Sequence, residues 1–209
     1  MWAEFVKPCY QQKGNDCSRW ALRIAAEVLL QKKIVNKKFN TFAKKCSDAG
    51  DYIPSAISEF QTSFPTFAKQ LKFSQKYPKK NPMSGRRSRR SKTESKSDVF
   101  LQVKSLKTFF GFGPEANVLI LNVQNMEFSG DRIVYSSKKS RENHICVCLG
   151  YNAGDLIVLD SNKFGKSCIK YISLEYLSKS AAELEKNPPL GPVKKYMYIA
   201  EVFSVLKLN

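Results

Sequence analysis

Apolar residues first recur at helical spacing over 17–32, where Trp20, Ala21, Ile24, Ala25, Val28 and Leu29 share one face of a 3.6-residue repeat. Gly14-Asn15-Asp16 ahead of this stretch supplies turn and cap residues, and Lys32-Lys33 suits a last helical turn. Shorter helical patterns follow at 36–47, 54–62, 65–71 and about 97–109. The pattern then changes to short β-branched runs at 118–123, 132–135, 144–149, 156–159 and 168–171, with turn residues such as Asn152-Ala153-Gly154-Asp155 between them. A helix over 173–185 and a strand over 196–203 complete the series. Helices first and strands after predict an α+β domain, its N-terminal helical part packed on a C-terminal antiparallel β-sheet.

One stretch breaks the pattern. Residues 72–97 hold ten Lys/Arg against one Glu, with Arg86, Arg87, Arg89 and Arg90 at the centre, and offer little to bury. This predicts a flexible basic insertion in a single domain spanning 1–209. Its cations suit nucleic acid or an acidic partner protein, or they serve only to solvate a surface loop. No aromatic residue is interleaved with the arginines, which disfavours a base-stacking platform.

The same segment accounts for about half of the net charge of +17. A field of that sign raises encounter rates with acidic partners without saying which. An apolar content of 43% belongs to a globular chain, and no run of eighteen apolar residues predicts a transmembrane helix. The N-terminal residues lack the basic start and apolar run of a secretory signal. The expectation is therefore synthesis in the cytoplasm, with translocation into a host cell by a leaderless route as its companion.

Six cysteines stand at 9, 17, 46, 146, 148 and 168, without a Cys-x-x-Cys pair, and the chain has one histidine, His144. Reduced thiols are expected, with no metal site and no cofactor. Cys146 and Cys148 fall at alternate positions of a strand and read as small buried residues.

His144 opens one strand and Asp160 ends the next, across the turn at Gly154. An antiparallel pair brings those ends side by side, so Asp160 is placed to orient the ring. Cys17 opens the first helix, where unpaired backbone amides and the macrodipole favour a thiolate and can hold an oxyanion. Gln11 or Gln12 offers a side-chain amide to the same oxyanion. Asn162, two residues beyond Asp160, is the alternative orienting group.

The segment from Gln11 to Leu22 resembles the nucleophile motif of papain-like cysteine peptidases. It is most similar to that of the leader-peptide peptidases of bacteriocin exporters (double-glycine peptidases), in which a glutamine, four residues and Asp-Cys precede a helix. His144 to Asn152 and Leu156 to Asp160 resemble the histidine strand, Gly-Tyr turn and aspartate strand of the same family. Gly150-Tyr151-Asn152-Ala153 is also similar to a turn of the phytochelatin synthases. The resemblance implies Cys17 as nucleophile, His144 as general base and then acid, Asp160 as orienter and Gln11 as oxyanion donor. Ser18 departs from the glycine that usually follows the family's cysteine. Family members are also fused to a transporter, which is not expected of this protein, and the long middle region has no counterpart in compact members.

The resemblance implies a cysteine protease acting on a protein or peptide, by analogy with free-standing effectors of this superfamily. Deamidation, transamidation and dipeptide transfer use the same three groups and stand as alternatives. The competitor from another class is a non-catalytic binding module that uses the basic loop.

Overall fold

The first apolar stripe folds as helix α1, Cys17–Leu30, in a computed structural model that describes residues 16–46, 52–77, 101, 103–111, 116–137, 142–160, 168–187 and 195–208. Gln31 closes the helix in the left-handed region at φ 55°, so Lys32 and Lys33 lie just beyond the last turn. The helix is buried on almost every side, not along one stripe, because it is sandwiched between a sheet and two other helices. Those are α2, Asn36–Ala43, and α3, Ile53–Ser63, followed by the single turn α4, Pro65–Ala68.

Burial of that second face brings three charged residues of α1 inside. Arg19 donates to Phe42 O at 2.6 Å and to Glu59 Oε2 at 2.9 Å. Arg23 donates to Glu27 Oε1 at 2.9 Å, and the same oxygen accepts from Ile34 N at 2.8 Å. Both guanidinium groups lie 4.6 Å from phenylalanine ring centres, over Phe42 and Phe39 respectively. Phe42, Phe60 and Phe64 meet one another at centroid distances of 5.1 to 6.0 Å, and such pairs contribute about 0.5–1.5 kcal/mol each beyond burial. The helical layer is thus fastened by ion pairs and aromatic edges together.

Residues 72–77 correct the expected insertion. They belong to strand β1, Leu71–Tyr77, which pairs antiparallel with the last strand. Leu71 is buried and Phe73 packs on the helical core, at alternate positions. That two-residue alternation was hidden by Lys72 between its members, which points outward as a half-exposed strand allows. Residues 78–97, with all four central arginines, lie outside the described residues.

After the short helix α5, Val103–Thr108, come β2, Asn117–Ser129; β3, Arg132–Tyr135; β4, Glu142–Asn152; β5, Asp155–Leu159; and β6, Ile169–Ser173. Helix α6, Leu174–Lys186, starts where Ser173 Oγ accepts from Tyr176 N at 3.2 Å, and β7, Tyr198–Lys207, ends the fold. The strand order is β1-β7-β2-β3-β6-β5-β4, and β4 also pairs with β2, so five strands close into a barrel. The protein is α+β, as expected, but its sheet is neither open nor wholly antiparallel. β3 and β6 run parallel at Arg132 and Tyr171, where Tyr171 N donates to Asp131 O at 2.9 Å. Closure at that seam is reinforced by Lys170, fully buried, whose Nζ lies 3.1 Å from Asp131 Oδ1.

The hairpin from β4 to β5 turns at Ala153 and Gly154, with φ 44° and 102°. Both values are positive, as a two-residue turn that matches strand twist requires, and glycine meets the second at no steric cost. One core lies between the sheet and α1–α4; the other fills the opposite face with α5 and α6. None of the helices among the described residues is long and apolar enough to cross a membrane.

Candidate active site

Cys17 is the first residue of α1, and α1 lies on β4. The first helical hydrogen bonds run from Arg19 N and Trp20 N to Asp16 O, each 3.1 Å. The amides of Cys17 and Ser18 therefore precede the helical ladder and face the helix end, where an anion is favoured. Asp16 does not cap the helix with its side chain, contrary to expectation. Its Oδ2 instead accepts from Trp20 Nε1 at 3.0 Å, which locks the residue before the cysteine to the next turn of the helix. The i, i+4 spacing of an aspartate and a tryptophan was the signal for this contact.

His144 stands near the start of β4, and Asp160 directly follows β5. The β4–β5 register places Val147 opposite Leu159, so Asp160 lies level with Cys146 and on the same face of the sheet as His144, two residues earlier in β4. His144 Nε2 is 2.7 Å from Asp160 Oδ2, and both side chains are buried. Asp160 N donates to Cys168 O at 2.9 Å, which holds the aspartate backbone to the approach of β6. Phe128 stands edge-on to the imidazole with ring centres 5.5 Å apart, a flanking wall that the sequence pattern did not reveal.

Burial is the largest single influence on His144 and pushes its pKa down. The charge and hydrogen bond of Asp160, followed by the hydrogen bond and charge of Cys17, together outweigh it and raise the imidazole to about 10. The Cys17 thiol is thus a near neighbour of the ring. With Nε2 against the carboxylate, Nδ1 is the nitrogen left for the thiol. The three groups meet in the order sulfur, imidazole, carboxylate, from a helix tip and two neighbouring strands.

A bulge accompanies this junction. Between Val123 and Met126 strand β2 has one more residue than β4 has between His144 and Glu142, and Asn125 adopts a φ of 58° there. Asn125 Nδ2 donates to Tyr196 O at 2.9 Å. Bulges of this kind bend a strand and re-aim the side chains beside it.

Cys146 and Cys148 are buried, as their strand positions suggested, and join the core on the far side of the sheet. Burial foremost holds the Cys146 thiol well above its usual range, and burial raises Cys148 to about 12 although a backbone hydrogen bond with Gly150 opposes this. Such thiols stay protonated and poorly nucleophilic. Cys17 is half-buried, and Cys17, Cys146 and Cys148 carry free thiols. Among the described residues no group of His, Cys, Asp and Glu is arranged to hold a metal ion. Gln11, Gln12, Cys9 and Asn162 lie outside the described residues. Ser18, where the resemblance has a glycine, is buried.

No protein-family model matches the chain, and no curated protein matches it.

Proposed function

We propose that this protein is a papain-like cysteine hydrolase that cleaves an amide bond of a protein or peptide. The observation that carries the reading is the convergence of Cys17, His144 and Asp160, three residues distant in sequence, at one buried point. A sulfur beside an imidazole that a carboxylate keeps charged is the arrangement that thiol acyl transfer needs.

In the proposed cycle the Cys17 thiolate attacks the amide carbonyl, and the C–O electron pair becomes an oxyanion near the Cys17 and Ser18 amides. The imidazolium of His144 gives its proton to the leaving nitrogen as the C–N bond breaks, which leaves a thioester. Water then attacks, His144 takes its proton, and the carboxylic acid departs as the thiolate returns. Asp160 holds the ring and stabilises its charged form throughout. Gln11 is assigned to the oxyanion by resemblance. An amine in place of water turns the same intermediate into a transfer product, and attack on a side-chain amide gives deamidation.

Limited labelling with iodoacetamide, mapped by peptide mass, tests the reading. Label is expected mainly on Cys17 and is expected to fall by at least an order of magnitude in His144→Ala, as for removal of an activating base. Equal labelling of every cysteine, or labelling of Cys17 indifferent to His144, overturns it.

A further inference from the structure

The bulge in β2 decides which side chain stands beside His144. Val123 lies opposite His144 and Met126 opposite Glu142, so these four residues share one face of the sheet. Phe128, two residues beyond Met126, shares that face too. Its ring centre stands 5.5 Å from that of the imidazole, with 76° between the planes. A β2 without the extra residue would carry Val123, Asn125 and Glu127 on the face of His144. The bulge therefore exchanges Glu127 for Phe128 beside the imidazole. Glu127 instead accepts from Ser136 Oγ at 3.2 Å.

That exchange has a chemical consequence. A second carboxylate would add to the stabilisation that Asp160 gives the charged ring, whereas a phenyl group supplies an apolar surface. Strand β4 pairs with β5 on one side and with β2 on the other. Asp160 and Phe128 thus flank His144 from opposite neighbours, and the contact of Nε2 with the carboxylate takes the β5 side. Phe128 marks the other side.

Packing alone does not account for its setting. Met126, on the same face, and Ile133, its partner across the hairpin, are fully buried. Phe128 packs on the same core but is only half-buried, and Ser129 and Gly130 after it are exposed. Its ring is thus a rim between the buried imidazole and solvent.

In the proposed cycle His144 gives its proton to the leaving nitrogen, so that nitrogen must lie at the imidazole. The residue that the nitrogen carries then passes the rim. An extended residue spans about 3.3 Å, so the first residue after the bond is the one within reach of a ring centred 5.5 Å from the imidazole. We infer that Phe128 is a specificity-determining residue that receives an apolar side chain from the residue immediately after the scissile amide. The inference rests on the cysteine-hydrolase reading and names its substrate class, a polypeptide with an aliphatic or aromatic residue at that position. Deamidation releases ammonia, which has no side chain to place on Phe128, so the same surface favours main-chain cleavage.

A degenerate peptide library is incubated with the wild-type chain, Phe128→Ala and Phe128→Glu, and cleaved and deamidated peptides are identified by mass. Alkylation of Cys17 by iodoacetamide, which presents no leaving residue, is followed in each protein. Wild type is expected to enrich Leu, Ile, Met or Phe about tenfold over Gly directly after the cut, the discrimination of one apolar contact. Phe128→Ala is expected to bring that ratio near one. Phe128→Glu is expected to favour Lys or Arg at the same position, a change that loss of folding cannot produce. No apolar preference in wild type, an unchanged preference in Phe128→Ala, or deamidation without cleavage overturns the subsite. Equal losses of alkylation and of cleavage at every sequence in both variants make Phe128 a packing residue and overturn it as well. No product from wild type while Cys17 still reacts with iodoacetamide overturns the subsite alone. No product with Cys17 inert ends the hydrolase reading on which the subsite rests.

Discussion

Nε2 of His144 lies 2.7 Å from Oδ2 of Asp160, and neither side chain is open to solvent. A buried imidazole would ordinarily be neutral at physiological pH; here the carboxylate and the Cys17 sulfur hold it charged to about pH 10. The ring's two nitrogens are thereby divided between orientation and chemistry.

The pH dependence follows from that division. A ring raised from 6.5 to about 10 contributes stability that is complete below pH 6.5 and is lost as pH climbs through about 10. Alkylation of Cys17, if it depends on the imidazolium, falls along the same limb. In Asp160→Asn burial prevails, so the limb of the rate profile moves to lower pH. Profiles of labelling rate against pH for the two proteins measure the displacement, and a limb at the same pH in both rejects it.

Asp160→Ala strips a buried charged ring of its partner and is expected to cost about 3–5 kcal/mol of folding stability below pH 6.5. Urea unfolding at pH 6 measures the loss. The double variant Asp160→Ala with His144→Ala is expected to recover part of it, since no unpaired charge remains.

The seam inside α1 separates buried from half-exposed ion pairs. Glu27 is fully buried and serves Arg23, Lys33 and Ile34 N, so Glu27→Ala is expected to destabilise by about 3–5 kcal/mol. Glu59, 45% exposed in its contact with Arg19, is expected to cost less on replacement by Gln, about 1 kcal/mol, because water screens the pair. Thermal denaturation ranks the two.

Lys170 makes an asymmetric case at the barrel seam. Lys170→Met removes a buried cation together with its desolvation cost and is expected to change stability by less than about 1 kcal/mol, whereas Asp131→Ala leaves the cation buried and is expected to cost more. Chemical denaturation of the pair gives the sign. A larger loss in Lys170→Met than in Asp131→Ala rejects the argument.

Thiol reactivity offers a further check. Cys146 and Cys148 are held protonated by burial, so at pH 8 both are expected to label at least tenfold more slowly than in the unfolded chain. Ser18→Ala removes a buried hydroxyl without a hydrogen-bond partner and is expected to stabilise the protein by about 1 kcal/mol.

Much of this was written locally along the chain. The periods of two and 3.6 place most helices and strands within a few residues, because burial on one face imposes them. The β-turn at Ala153–Gly154 and the register it sets bring Asp160 beside His144, a relation between strands adjacent in sequence. Non-local relations were out of reach. Barrel closure joins β3 to β6 and β2 to β4, and nothing in a single strand's pattern names its partner. The strand at Leu71–Tyr77 needed β7, more than a hundred residues away, to satisfy its backbone. Burial of Arg19, Arg23 and Glu27 depended on α2 and α3 closing over a face that looks polar in isolation. The bulge of β2, which sets the surroundings of His144, is a one-residue mismatch between strands. Local sequence thus determined which residues would form each element and which side chains could do chemistry, while only packing between distant segments decided which of them meet. Hydrophobic periodicity is a property of one segment, whereas register, closure and the burial of charge exist only between segments.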